Sequence, residues 1–117
     1  MKKRTLLNLV DRKGKIYVYC SNSMLIELFL NNAETEGFLF SDGVKPTERE
    51  ADNLYRITSD RTIYYVGWGG HMLFKLNGIK TVEPVYFIDY EKYLFGERRY
   101  ILKQIRPSFR LIRNCKG

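Results

Sequence analysis

Cysteine, histidine and proline are scarce in this chain, and the first two scarcities remove whole classes of protein. The two cysteines, Cys20 and Cys115, stand near opposite ends and form no CxxC. With His71 as the single histidine, no plausible zinc set and no disulfide framework remain. The expectation is a packed, reduced thiol at Cys20, a tail thiol at Cys115, and no metal or cofactor. Long apolar runs are missing too: nothing approaches the roughly 18 residues of a membrane span. The opening MKKRTLLNLVDRKG places positive charge before leucines, but Leu6–Val10 is interrupted by Asn8 and followed at once by Asp11, Arg12 and Lys13. That is too short for the apolar core of a secretory signal, so the chain reads as cytoplasmic.

What the chain does have is apolar mass, aromatic rings and segregated charge. At 117 residues and 44% hydrophobic, it is long enough for one core and too short for two. The expected organisation is one globular domain over residues 1–106 and a basic tail over 107–117. Nine tyrosines and seven phenylalanines favour strands and half-buried surfaces. The net charge of +7 belongs to the two ends. Residues 1–20 carry six basic side chains against Asp11 alone, and the last twenty carry seven with no acid. The stretch between them is acidic.

Periodicity then assigns elements. RTLLNLVDRKGKIYVYC reads as a β-hairpin, two apolar runs flanking Asp-Arg-Lys-Gly-Lys. A helix over about 22–36 follows, capped by Ser21 or Ser23, with Ile26, Phe29, Leu30 and Ala33 on one face and Gly37 just past its end. Phe38–Phe40 returns as a short strand, which makes a crossover if it runs parallel to the strand before the helix. After a polar loop come strands at Leu54–Thr58, Thr62–Gly67 and Thr81–Tyr90, and HMLFKLNGIK reads as a further strand entering an Asn77-Gly78 turn, or else as a single helical turn. A second helix is predicted over about 90–105. Arg99, Lys103 and Arg106 would share one face of it, and Pro107 would stop it. The fold class is therefore α+β: a mainly antiparallel sheet of five to six strands with these two helices.

Few residues invite chemistry. GWGGHMLF (residues 67–74) has the glycines of a phosphate loop but neither GxGxxG spacing nor a GK[ST] ending. It reads as a tight turn, with Trp68 as its exposed point and His71 as a turn or core residue. Cys20, before a helix N-terminus, could have a lowered pKa, yet a cysteine phosphatase needs an arginine where Ile26 stands. Asp42, Glu48, Glu50 and Asp52 read as a solvated loop face with no acid–base spacing or calcium register.

The stretches EGFLFSDGVKPTERE, YRITSDRTIYYVGWGGHMLF and IDYEKYLFGE resemble small uncharacterised proteins of phages and integrative elements in Gram-positive bacteria. The resemblance covers residues 16–96 and carries no functional motif. It implies an accessory protein that binds host machinery, nucleic acid or a defence nucleoprotein.

Charge and resemblance together lead to a non-enzymatic basic binding module. Its candidate contacts are Lys2, Lys3, Arg4, Arg12, Lys13, Arg98, Arg99, Lys103, Arg106, Arg110, Arg113 and Trp68. Nucleic acid or a nucleoprotein is the expected partner, because arginine forks match phosphate geometry, and an acidic protein surface would also fit. The alternatives are a phage-type, anti-CRISPR-like inhibitor of a host defence protein, and a small enzyme built on Cys20 and His71.

Overall fold

The structure, a computed structural model, describes residues 4–11, 14–48, 51–76 and 79–107. It is α+β, a six-stranded mixed sheet with helices on both faces.

The expected N-terminal hairpin does not form. Leu6–Val10 is a short helix, α1, and only Lys15–Tyr19 is a strand, β1. Leu6, Leu9 and Val10 recur at helical spacing and are all buried. Thr5 caps the helix by accepting from the Asn8 amide. The Glu36 carboxylate also accepts from the amides of Leu6 and Leu7, at 2.9 and 3.1 Å, which puts negative charge at the positive end of the helix.

Helix α2, Ser23–Thr35, falls where the periodicity placed it, although Asn22 rather than either serine caps it, accepting from the Leu25 amide. Its end is a Schellman turn. Gly37, at φ 85°, donates to the Glu34 carbonyl, and Phe38 donates to that of Ala33. Strand β2, Leu39–Phe40, then leads through a polar loop to β3, Leu54–Ile57, and β4, Thr62–Tyr65. Sequence and structure part again at Gly67–Lys75, which is a helix, α3, in place of the tight turn expected at the glycines and the strand expected after them. Gly70 makes that turn of helix possible, since a Cβ there would meet Val66 Cγ1 at 1.5 Å.

Strand β5, Val85–Asp89, runs straight into α4, Tyr90–Leu94, with Asp89 as its cap. The long C-terminal helix predicted over 90–105 is absent, because Gly96 stops α4. It takes φ 83° and donates to Tyr93 while Glu97 donates to Lys92, a second Schellman turn. The chain then turns back as β6, Ile101–Ile105. Arg99, Lys103 and Arg106 therefore share no helix face.

The strand order is β2-β4-β3-β1-β5-β6. Three pairings are antiparallel and two, β1 with β5 and β2 with β4, are parallel. The alternation of β1 assigns the two faces. Ile16 and Val18 join the core under α1, α2 and α4, whereas Tyr17 joins Leu54, Val85, Phe87 and Ile105 under Leu73 and Phe74 of α3. In β6 the pairing shifts between Phe87 and Ile88, so Ile101 faces the first core while Ile105 faces the second.

Candidate binding surface at the turn between α4 and β6

The turn Phe95-Gly96-Glu97-Arg98-Arg99 projects from a braced base. Arg4 supplies the brace. Its Nη1 donates to the carbonyls of Tyr93 (3.3 Å) and Glu97 (2.6 Å), and its Nη2 to that of Gly96 (3.2 Å). The guanidinium carbon lies 5.4 and 5.1 Å from the ring centroids of Tyr93 and Tyr100. Tyr93 ties back to the N-terminal segment by donating its hydroxyl proton to the Thr5 carbonyl at 2.5 Å. Burial pushes that phenol up to about 12, so it remains a donor at physiological pH.

This brace ties the N-terminal segment to the residues just before the second basic stretch. Arg4 comes from the first and the turn opens the second. Above it, Phe95 is 70% exposed, and Arg98 and Arg99 are both exposed. Neither arginine makes an ion pair among the described residues. Glu97 is the one acid in the turn, and its carbonyl is held by Arg4.

Lys103 is directed inward. Its ammonium donates to the carbonyls of Leu73 (3.1 Å), Phe74 (2.8 Å) and Leu76, at the C-terminal end of α3. A cation there meets the negative end of the helix. Arg106, just past β6, is exposed. Lys2, Lys3, Arg12, Lys13, Arg110 and Arg113 lie outside the described residues. The backbone of Trp68 belongs to α3, and its side chain also lies outside what is described.

The other sequence candidates have plain geometries. Cys20 is fully buried, and burial followed by the charge of Asp89 raises its thiol to about 12. At that value it is a thiol, not a nucleophilic thiolate, at neutral pH. His71 stands 3.7 Å from Asp52, each about one-third exposed. Among the described residues no three histidine, cysteine or acidic side chains converge on a metal site. No described helix is long and apolar enough to cross a membrane.

Phe95 falls inside the helix predicted over about 90–105, and that placement hides it as a surface residue. An apolar residue directly before a helix-stopping glycine was the available signal. No family model, no curated protein and no solved structure matches the chain.

Proposed function

We propose that the chain is a non-enzymatic binding module that holds nucleic acid through the α4–β6 turn, with Arg98 and Arg99 on backbone phosphates and Phe95 stacked on a base. The observation that carries this reading is the brace: Arg4 fixes three carbonyls of a turn whose Phe95, Arg98 and Arg99 side chains are all exposed. Aromatic stacking combined with arginine charge is how single strands are held without sequence readout. Unpaired or single-stranded substrate is therefore favoured over duplex, since the exposed Phe95 ring stands on a turn and needs an unstacked base to pack on. The overall charge of +7 adds long-range attraction. A cytoplasmic accessory protein of a mobile element would meet such a partner.

Fluorescence anisotropy with single- and double-stranded DNA and RNA, at low and moderate salt, tests the proposal. Binding should fall steeply with salt, and the Arg98→Ala/Arg99→Ala variant should lower the log–log slope by about 1.4 on a single strand. No binding at low salt to any of the four would remove nucleic acid as the partner.

A second reading, an inhibitor of a host defence protein, has its own observation. Strand β6 ends the sheet, and Leu102 on it is 44% exposed beside the turn. A terminal strand can accept a partner's strand. A pulled-down host protein that survives nuclease treatment would favour this reading over the first.

A further inference from the structure

Charge alone counts Arg4 among the groups that would touch a partner, yet its guanidinium is spent on the chain itself. Nη1 and Nη2 share the carbonyls of Tyr93, Gly96 and Glu97, and the rings of Tyr93 and Tyr100 lie against it. The Tyr93 carbonyl also accepts from the Gly96 amide, but no backbone donor among the described residues reaches the carbonyls of Gly96 or Glu97. Arg4 is what holds those two. A helix of five residues such as α4 is too short to fix its own end in water.

This hold is specific to arginine. A guanidinium presents donors from two terminal nitrogens in one plane, with a flat face for aromatic rings. Lysine keeps the charge but has one nitrogen and no plane, so it cannot serve three carbonyls and two rings together.

Arg4 is itself held from behind. Tyr93 donates to the Thr5 carbonyl, the Thr5 hydroxyl caps α1, and Glu36 accepts from the amides of Leu6 and Leu7. Leu6 and Leu9 are buried in the first core. A continuous set of contacts thus runs from Glu36 at the end of α2, through residues 4–10, to the turn that carries Phe95, Arg98 and Arg99.

We propose that residues 4–10 form a latch that sets the binding competence of the α4–β6 turn, with Arg4 as the positioning residue and Glu36 as the anchor. The functional half of this proposal rests on the nucleic-acid reading of the turn, and the mechanical half does not. Coupling between two sites is reciprocal, so a bound strand tightens the latch as the latch favours the strand.

Two measurements on the full chain test it. The first needs no nucleic acid: hydrogen exchange at the amides of Phe95, Gly96 and Glu97, each of which donates to an α4 carbonyl. Arg4→Lys and Arg4→Gln should each speed it about tenfold and leave the amides of α2 unchanged. Unchanged exchange at the turn in both variants overturns the proposal. The second is fluorescence anisotropy with a single-stranded oligonucleotide. Arg4→Lys and Arg4→Gln should weaken binding alike, about tenfold, and keep the salt slope. Rescue by lysine, or a slope lower by about 0.7 in Arg4→Gln, would make Arg4 a phosphate contact and overturn the latch. Glu36→Ala removes a negative charge, so simple electrostatics predicts tighter binding, whereas the latch predicts binding about fivefold weaker. Equal or tighter binding in that variant overturns the anchor. The Arg4 variants change a side chain at the margin and remain informative if Glu36→Ala does not fold. A saturating strand should slow exchange at the Leu6 and Leu7 amides, and no slowing there would break the coupling. If the parent chain binds no strand, the nucleic-acid reading falls by itself, and the exchange measurement still decides whether Arg4 holds the turn.

Discussion

The two faces of the sheet are built to different standards. Under α1, α2 and α4, eighteen of the described residues are buried in one cluster, with Phe29 stacked on Tyr55 and edge-on to Tyr90. Under α3 the buried set is five, closed by Phe74 and Phe87, whose ring centroids are 4.8 Å apart. α3 packs on β1, β5 and β6, and the β3–β4 side of that face carries Arg56 and Tyr64 at the half-exposed level. The difference teaches where this molecule can afford polar side chains. Where cover is complete, cations such as Arg4 act on backbone carbonyls at the margin. Where it is partial, the Arg56 guanidinium lies over the Tyr64 ring.

The comparison breaks most sharply in the first core. Phe29→Ala removes a fully buried ring and should cost about 3–5 kcal/mol in urea denaturation, enough to unfold a marginal domain. Phe74→Ala, on the thinner face, should cost only about 1–2 kcal/mol by the same measurement. Similar losses for the two would mean that the faces are equivalent.

Alkaline pH addresses the same contrast. Burial raises the phenols of Tyr55, Tyr90 and Tyr93 to about 12, against an ordinary value near 10. The folded state therefore retains protons that the unfolded state has lost. This stabilisation is complete below pH 10 or so and disappears as pH rises towards 12. Stability followed by circular dichroism should fall across that window, with tyrosinate absorbance appearing together with unfolding.

Lys103→Met takes the cation from the end of α3 and leaves its last carbonyls without that donor. We expect a loss of about 1–2 kcal/mol, and faster amide exchange in residues 70–76 than in α2. The smallest stability effect belongs to Arg98→Ala/Arg99→Ala, within about 0.5 kcal/mol of the parent chain, because both side chains are exposed. A large loss in thermal denaturation would show that the turn supports the fold instead of presenting a surface.

Local signals were legible in the sequence, whereas their competition with distant ones was not. Helix α2 and strands β1, β3, β4 and β5 follow from residues that agree with their own neighbours. Leu6–Val10 supports strand and helix equally well, and the choice is made by Glu36, thirty residues away, which caps the helical alternative. In GWGGHMLF the glycines argued for a turn. Gly70 instead admits Val66 against the first turn of α3, and Leu73 and Phe74 find their partners on strands distant in sequence, β1 and β5 among them. The C-terminal helix fails at Gly96, which weakens a helix interior but ends a helix well. Of the site, the paired arginines could be read from charge alone. Their brace could not, because the acceptors of Arg4 are backbone carbonyls some ninety residues on.

The position of β1 also dictates the order of assembly. It is the first strand to be synthesised, yet it lies in the middle of the sheet, and Lys15–Tyr19 must wait for Val85–Asp89 before its second edge is filled. Closing so wide a loop is slow relative to local contacts. During translation this strand therefore exposes one unfilled side until Val85–Asp89 has emerged, the period in which a nascent chain is most open to chaperones and to pairing with its own copies.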